Sequence, residues 1–554
     1  MLIAAAVIAV FVIVSAWSSS RARAGLLARL RAEWGSPKER PRDMDAIAAL
    51  FRSQSASDRA VDDRTWNDLL LDDVFRLLDR VESSVGQQTL YCRLRSASSP
   101  DSLNAFDALV ARFGNDSHSR EQAQMAFARL NDPAGYYLHC LAGPGALSHQ
   151  WWHVVFPIWG VVVLLSVSLA FVWPALLLVI LVGVVVNFAI RIATGRRIGG
   201  EVAWFRQVGP LLSTAHELIR YCADENAAIT GSLKHDLMTL RQLGRIARWV
   251  SRDPLTTGEV AGALLEYLNM LLLMDANALY FANRELRNTR RQLLRVLQTV
   301  GEIDTAIAVA SFRAGVKTWI RPRFVEPNAP ARLSNIRHPL VEDAVPNSIG
   351  LAPPYGVLIT GSNMSGKSTF LRTVGVNVVL AQTIHTCLAE SYEAPVYRVR
   401  SSLGRSDDLL AGKSYYLVEV ESILSLIEAS NEIEPHLFLL DELFRGTNAV
   451  ERIAAGEAVL TEMIGSGKCH VVLVATHDVE LVDLLRDSYV VCHLADAVGP
   501  NGLMFDYRLT AGPATSRNAI ELLRLNGAPE DVVMRALTRA TALDRQRQPT
   551  RSDA

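Results

Sequence analysis

The segment GSNMSGKST, residues 361–369, constrains the fold of this chain more than any other feature. It fits the pattern G-x-x-x-x-G-K-[ST] through Gly361, Gly366, Lys367 and Ser368. The apolar segment YGVLIT precedes it and TFLRTVGVNVVLAQTI follows it, so we expect a strand, a loop and a helix in that order. We call residues 361–369 the phosphate loop, because glycines and a helix N-terminus together direct backbone N–H groups toward phosphate.

The phosphate loop predicts contacts with a nucleoside triphosphate, and a plain glycine turn is the alternative. Lys367 is expected to reach the β- and γ-phosphates, while the Ser368 hydroxyl can bind Mg²⁺. The candidate ATP-binding residues are Gly361, Ser362, Asn363, Met364, Ser365, Gly366, Lys367, Ser368 and Thr369.

The apolar segment HLFLLDELF predicts a buried strand that ends at two carboxylates. Asp441 is expected to hold Mg²⁺ directly or through water, and Glu442 to orient and deprotonate the attacking water. The alternative is that both carboxylates only cap the strand. A second strand, HVVLVAT, runs up to His477, which is either a catalytic sensor of the γ-phosphate and the attacking water or a structural residue.

Short apolar segments separated by glycine turns and helical segments indicate an α/β domain from residue 324 to about residue 525. Residues 36–147 and 191–323 are instead rich in helical patterns. Long helices, packed as a bundle, are therefore expected before the α/β domain.

Residues Val154 to Ile190 contain no Asp, Glu, Lys, Arg or His. One helix of this length would measure about 55 Å, which is too long for a single crossing of a hydrocarbon core roughly 30 Å thick. A break at Trp173 and Pro174 gives two transmembrane spans of workable length. A buried helical hairpin is the alternative.

The N-terminal segment LIAAAVIAVFVIVSAW is apolar and is followed by Arg21 and Arg23. This order favours a signal anchor over the alternative of a cleaved signal peptide. Both membrane predictions place residues 20–150 and 191–554 in the cytoplasm. The expected location is the inner membrane, with the ATPase domain on its cytoplasmic side.

Charge is balanced, with 56 Lys plus Arg against 57 Asp plus Glu, which excludes a polycation that binds nucleic acid over its whole surface. The segment RELRNTRRQLLR is locally basic and is either a solvated helix face or a nucleic-acid contact. The six cysteines form no C-x-x-C pair, so we interpret them as reduced packing residues.

These motifs together resemble those of the MutS mismatch-repair ATPases, a branch of the ABC-type nucleotide-binding class. The resemblance is dense from Ile336 to Pro529. It is carried by RHPLVEDAVPNSI, TGSNMSGKSTFLR, SDDLLAGKSYYLVEVES, LLDELFRGTN, ATHD and YRLTAGPATSRNAIELLRLNGAP. Residues 81–95 and 300–312 are similar, more weakly, to the helical core and lever of that family.

The resemblance implies a homodimer that uses ATP and Mg²⁺. Ser414 falls at the signature serine, which in that family approaches the γ-phosphate held by the opposite subunit and so acts in trans. Residues 446–448 would form a loop beside the dimer seam, and residues 346–347 would lie toward the adenine. The terminal segment 527–554 resembles a helical element that clasps the partner.

Three departures limit what the resemblance implies. Residues 20–150 are too few for the family's mismatch-reading and connector domains together with its core. The segment from Phe324 to Glu326 matches the family's Phe-x-Glu wedge only by coincidence. Ser362 and Ser365 stand where the family often has Pro and then Gly or Ala. Direct mismatch recognition is therefore not expected, whereas ATP binding is.

The expected fold class is an α/β P-loop ATPase domain of the ABC type, preceded by an all-α helical core and lever region, with N-terminal and mid-chain transmembrane helices. The predicted segments are an N-terminal transmembrane anchor (1–19), a cytoplasmic helical region (20–150), a transmembrane hairpin (151–192), a helical lever and core region (193–323), the ATPase domain (324–526) and a C-terminal dimerisation element with a tail (527–554).

Three functions stay open. The first is a membrane-anchored MutS-like ATPase that works as a dimer and binds DNA in a role related to mismatch repair. The second is a membrane-bound ATP switch that acts on an unknown protein partner without DNA. The third is an ABC-type transporter, which is disfavoured because the spans are few, the hairpin carries no charge and SDDLLAGKS differs from the transporter signature LSGGQ.

Overall fold

The computed structural model describes residues 2–54, 59–143, 155–170, 172–176, 181–185, 187, 200–222, 227–248, 274–352, 356–362, 365–403, 415–465, 469–499, 502–513 and 519–547. Contacts divide the chain into two compact units. The helical unit comprises Met1–Ala56, Phe75–Arg93 and Asn104–Val316, and the α/β unit comprises Ser57–Val74, Leu94–Leu103 and Lys317–Ala554. The six-segment division predicted from the sequence stays a prediction.

Helices dominate the chain before residue 316. They are α1 (Leu2–Glu33), α2 (Met44–Ser53), α3 (Asp63–Asp68), α4 (Leu71–Leu78), α5 (Ser84–Arg95), α6 (Pro100–Asn115), α7 (Ser117–Phe127), α8 (Val155–Leu169), α9 (Val208–Tyr221), α10 (Ala227–Thr239), α11 (Arg241–Ala247) and α12 (Met274–Gly315), with 3₁₀ segments at Ala128–Leu130 and Pro133–Ala142. Aspartates begin several of them because a carboxylate accepts the unpaired N–H groups of a first turn. Asp43, Asp62 and Asp116 cap α2, α3 and α7 in this way.

Helix α12 has 42 residues and forms the longest element of the helical unit. Its Asp304 is fully buried and accepts hydrogen bonds from the backbone N–H of Glu82 and from the hydroxyl of Ser83, the latter at 2.6 Å. Burial raises the pKa of Asp304 to about 6. A Cβ atom on Gly86 would lie 2.3 Å from the Asp304 carboxylate, so glycine is required for this close approach.

The prediction of transmembrane helices is wrong. Among the residues that the structure describes, none of the helices combines the length and the apolar character that a membrane crossing requires. Helix α8 has 15 residues, which is about 22 Å and shorter than a hydrocarbon core of roughly 30 Å. In α1, the side chains before Trp17 lie outside the described residues. So do residues 151–154, 171, 177–180, 186 and 188–192 of the predicted hairpin.

The predicted inner-membrane location is wrong for the same reason. The prediction counted uncharged residues from Val154 to Ile190, whereas a crossing needs one uninterrupted helix of about 20 residues. The described part of this segment contains no such helix, because α8 ends at Leu169. The transmembrane anchor, the hairpin and the membrane as a partner therefore lose their basis.

The α/β unit contains two sheets. Its strands are β1 (Arg323–Phe324), β2 (Ala331–Ile336), β3 (Asn347–Leu351), β4 (Gly356–Thr360), β5 (Ser391–Ala394), β6 (Arg398–Ser402), β7 (His436–Asp441), β8 (Val471–Ala475), β9 (Tyr489–Gly499) and β10 (Gly502–Ala511). Its later helices are α13 (Lys367–Ile384), α14 (Tyr415–Ala429), α15 (Ala449–Met463), α16 (Val479–Leu485), α17 (Ala519–Leu525) and α18 (Glu530–Arg547).

The larger sheet positions the candidate site. Its strand order is β10-β9-β4-β8-β7-β6, with β10 antiparallel to β9 and the other pairs parallel. Strands β4 and β8 are buried along their whole length, as expected for parallel strands covered on both faces. Because the strands are parallel, the carboxyl ends of β4, β7 and β8 meet at one edge. The smaller sheet has the order β1-β5-β2-β3.

A segment from the N-terminal part of the chain completes the α/β unit. Asp68, at the end of α3, accepts hydrogen bonds from the Ser401 hydroxyl at 2.7 Å and from the backbone N–H of Leu403 at 2.9 Å. Its backbone carbonyl accepts from Arg372 of α13 at 2.7 Å. These bonds attach residues 57–74 to β6 and α13, across more than 300 positions of sequence.

A substitution at Gly356 tests how tightly the larger sheet is packed. A Cβ atom at Gly356 would lie 1.9 Å from the ring of Tyr489, whose hydroxyl is held by the Leu460 carbonyl at 2.9 Å. We expect Gly356→Ala to lower the free energy of unfolding by about 1–3 kcal/mol, the usual cost of overpacking. Urea unfolding of the full chain measures this change in the free energy of unfolding. Gly350→Ala on β3 is the control, because its Cβ would meet nothing within 4 Å, and equal effects of both changes would contradict the prediction.

Candidate nucleotide site

The phosphate loop follows β4 directly and leads into α13, as the sequence predicts. Gly361 has a φ of 141° and Gly366 a φ of 95°, values that favour glycine. A Cβ atom on Gly361 would lie 2.7 Å from the Ser365 hydroxyl and 2.8 Å from the Leu494 carbonyl oxygen. Both predicted glycines are therefore required by the backbone. Asn363 and Met364 lie outside the described residues.

Lys367 opens α13 and is only 4 % exposed. Its ammonium donates hydrogen bonds to the carbonyl oxygens of Gly361 at 2.8 Å and Ser362 at 2.7 Å. The Ser365 hydroxyl also donates to the Ser362 carbonyl, at 2.9 Å. The two lysine bonds hold the Lys367 ammonium against the backbone of Gly361 and Ser362. Thr369 is exposed in the first turn of α13.

Ser368 and Asp441 are brought together from positions far apart in the sequence. The Ser368 hydroxyl donates to the Asp441 carboxylate at 2.5 Å. A hydroxyl and a carboxylate are oxygen ligands of the kind Mg²⁺ prefers, and Mg²⁺ commonly takes only one or two protein ligands in addition to substrate phosphates. The pair therefore fits the predicted metal position. No group of three or more His, Cys, Asp or Glu side chains within the described ranges suggests another metal site.

Glu442 lies at the centre of a charged cluster. Its carboxylate is 3.2 Å from Nδ1 of His477 and 2.8 Å from Nε of Arg445, and Arg445 also lies 3.3 Å from Asp441. The hydrogen bond from His477, followed by the charges of Arg445, His477 and Lys367, holds the pKa of Glu442 below its ordinary value. Glu442 is therefore ionised at neutral pH.

His477 follows β8, and its neighbours tie it to α15. Its pKa is raised, first by the hydrogen bond to Glu442 and then by the charges of Glu442 and Asp478. Asp478 in turn accepts two hydrogen bonds from Arg452, at 2.9 and 2.7 Å. The structure thus brings His477 to the carboxylate pair. The third predicted catalytic residue, Ser414, lies outside the described residues.

Comparisons with known proteins agree with this geometry. Residues 357–544 match the family model for MutS domain V. The chain is 34 % identical over 288 residues to the DNA mismatch repair protein MutS of Thermus thermophilus, covering 51 % of this chain and 34 % of the relative. The protein named DNA mismatch repair protein MutS 2 of Halobacterium salinarum is 37 % identical over 250 residues, which cover 43 % and 28 % of the two chains.

The MutS domain V match begins inside β4 and ends inside α18, so it contains the predicted phosphate-binding, metal and catalytic residues. MutS from Streptococcus equi subsp. equi is 33 % identical over 276 residues, covering 47 % of this chain and 31 % of that protein. The chain therefore spans about a third of the length of the curated relatives it matches. Similarity to MutS proteins is thus established for about half of the chain.

Two residues within the matched range 357–544, Arg445 and Tyr507, lie at the candidate site although the sequence did not single them out. Arg445 follows Glu442 by three positions, and this spacing could have identified it as a partner of the carboxylates. Tyr507 begins one of the segments that carry the resemblance, but its place beside Gly366 could not be read from the sequence, because it lies at a register shift in β10. A Cβ atom on Gly366 would lie 3.1 Å from the ring of Tyr507, whose own φ is 54°.

Asn347, for which a place near the adenine stays a prediction, holds the backbone beside Tyr507. Its amide donates to the Tyr507 carbonyl at 2.9 Å and accepts from the backbone N–H of Leu509 at 2.7 Å. Residues 446–448 form the turn before α15. Within it, Asn448 caps the helix by accepting from the N–H of Glu451 at 3.0 Å.

The pairing of Glu442 with His477 predicts a measurable titration. Glu442→Gln removes the carboxylate that raises the pKa of His477, so this pKa should fall toward its ordinary value of about 6.5. NMR titration of the histidine side chains, with His477→Gln to identify the signal, measures the change. Glu451→Gln, which alters a carboxylate bonded to Thr447, is the control. An unchanged His477 titration in Glu442→Gln would contradict the arrangement.

Proposed function

We propose that the α/β unit binds and hydrolyses ATP with Mg²⁺. The observation that carries the proposal is the Ser368–Asp441 hydrogen bond at 2.5 Å, placed beside Lys367 and Glu442. It joins the phosphate loop to the carboxylate pair and so assembles the two halves of a phosphoryl-transfer site. The family match to MutS domain V supports the same function.

Each residue has a defined task in this proposal. Backbone N–H groups of the phosphate loop and the N-terminus of α13 bind the phosphates, and Lys367 exchanges its two carbonyl partners for phosphate oxygens. Ser368 and Asp441 hold Mg²⁺, which when bound neutralises charge on the β- and γ-phosphates. Glu442 orients the attacking water, with His477 fixing the carboxylate.

The lowered pKa of Glu442 indicates what kind of base it is. A strong general base has a pKa near the operating pH, whereas that of Glu442 lies below its ordinary value. Phosphoryl transfer proceeds through a loose transition state that needs positioning more than early proton removal. We therefore assign Glu442 chiefly to orienting the water.

We further propose that two chains form the complete site. Ser414 would approach the γ-phosphate held by a second copy, as the resemblance to the MutS family implies. The exposed apolar side chains of the C-terminal helices α17 and α18 support a dimer, since Leu523 is 48 % and Met534 is 51 % exposed.

Two substitutions separate binding from hydrolysis. Lys367→Ala should abolish ATP binding, because the charge on the phosphates then has no buried partner. Glu442→Gln should keep ATP binding, lower the turnover number by about 10²-fold or more, and accumulate an ATP-bound dimer. Equilibrium binding, steady-state hydrolysis and light scattering measure the three properties. A strictly monomeric Glu442→Gln chain at saturating ATP would refute the dimer, and unimpaired turnover would refute the role of Glu442.

The names of the relatives favour a DNA-related role for the ATPase activity. The relatives described above are named DNA mismatch repair proteins, although this chain spans only about a third of their length. We propose that the chain couples its ATPase activity to DNA in a role related to mismatch repair. An ATP switch that acts on a protein partner is the alternative outcome.

DNA should accelerate ATP hydrolysis by the full chain, and binding should weaken steeply between about 50 and 200 mM salt because phosphate contacts release counterions. Steady-state hydrolysis is measured with homoduplex DNA, with mismatched DNA and without DNA. Glu442→Gln controls for contaminating ATPases. Hydrolysis that is indifferent to both DNAs would contradict the DNA role and favour the protein-partner switch.

A further inference from the structure

A cleft in the helical unit, remote in sequence from the phosphate loop, has the properties of a ligand site. It has a volume of about 890 Å³ and lies between α11 and α12. Cavities of roughly 300–1,000 Å³ are typical of sites for small molecules and cofactors. Gln242 and Ile246 line it from α11, and the remaining lining residues lie between Tyr280 and Asn288 of α12.

The surroundings of the cleft are strongly cationic. Residues 241–248 and 280–291 contain seven arginines against one glutamate, a net charge of +6 in a chain whose total is −1. Arg284 and Arg287 line the cleft and are exposed. Among the described residues, neither guanidinium has an ion-pair partner. Unpaired arginines on adjacent turns of one helix suit a phosphoryl group, because a guanidinium binds two phosphate oxygens at once.

The cleft also offers a surface for a planar ring. Tyr280 and Phe281 both line it, with ring centroids 5.3 Å apart and planes at 78°, and Phe281 is 43 % exposed. Ile246 adds an apolar contact from α11. Aromatic side chains beside arginines are the combination on which nucleobases stack in nucleic-acid and nucleotide sites.

Polar groups beside the rings add hydrogen-bond capacity. Asn283 lines the cleft although it is only 9 % exposed, and its amide can both donate and accept. Glu285 also lines the cleft and can accept from hydroxyl groups of a sugar. An ion pair from Arg295 to Asp236, with one contact at 2.9 Å, ties α12 to α10 nearby.

We propose that this cleft binds a nucleotide unit, with its base against Tyr280 and Phe281 and its phosphate on Arg284 and Arg287. The shared chemistry is a planar base joined to a phosphorylated sugar. Its source is either a free nucleotide or one unit of a single-stranded nucleic acid. This site is separate from the phosphate loop, so the inference does not depend on ATP hydrolysis there.

The test uses the full chain and two fluorescent probes, AMP and a twelve-residue oligothymidylate, followed by anisotropy. AMP lacks the β- and γ-phosphates that Lys367 would contact, so Lys367→Ala should lose ATP hydrolysis at the phosphate loop and keep binding of both probes at the cleft. The double change Arg284→Ala and Arg287→Ala should weaken binding of the probes at least about tenfold, because losing a hydrogen bond to a charged group commonly weakens binding by that factor. Phe281→Ala should weaken it as well.

Arg220→Ala is the matched control, because it removes an exposed arginine of the same unit outside the cleft. Circular dichroism and an unchanged urea unfolding midpoint verify that each cleft variant is folded. Binding of AMP supports a free nucleotide, and binding of the oligonucleotide alone supports a nucleic-acid strand. The proposal is overturned if neither probe binds, if Lys367→Ala abolishes binding of both, or if Arg220→Ala weakens binding as much as the double change.

Discussion

The hydrogen bond between Ser368 and Asp441 depends on the parallel pairing of three buried strands. Strand β8 lies between β4 and β7, so the loop after β4 and the carboxylates after β7 stand at one edge of the sheet. Ligand sites in open α/β sheets occupy this edge, because helix N-termini and strand ends converge there. A slip of one residue in β7 would turn Asp441 away from the phosphate loop. The register of β7 with β8, which pairs Asp441 with Ala475, is therefore the central constraint on the site.

The turn after β7 carries backbone strain. Glu442 has a φ of 52° and Phe444 a φ of 57°, which is unfavourable for any residue other than glycine. Such conformations cost on the order of 1–3 kcal/mol each and persist where the surroundings fix them. The Phe444 ring is buried in the core cluster with Leu443 and Leu460, and the Glu442 N–H is bound by the Ala475 carbonyl at 2.9 Å. Burial of the ring thus offsets the strain and directs the Glu442 carboxylate at His477 and Arg445.

The wrong expectation of transmembrane helices has a physical cause. An uncharged segment limits where a chain can be buried, but it does not specify where a helix begins and ends. Helix α8 stops at Leu169, and the described residues beyond it include Trp173 and Pro174 without a helix long enough for a crossing. The sequence also gave no sign that the hydrogen bonds of Asp68 attach residues 57–74 to the α/β unit. The hydrophobic pattern of a short segment does not indicate which residues, hundreds of positions away, it will contact.

The sequence by itself determined the phosphate loop, the carboxylate pair, His477 and the alternation of buried strands with helices. Each of these follows from residue type and short spacing: glycine for positive φ, continuous apolar runs for covered parallel strands, and carboxylates at strand ends. Only the tertiary structure decided that Ser368 meets Asp441, that Arg445 engages both carboxylates, and that Tyr507 lies over the loop. It also decided that Arg284 and Arg287 share a cleft with Tyr280 and Phe281. These contacts depend on strand order, on a bulge and on helix packing, which are set by the free energy of the whole fold and not by any single segment.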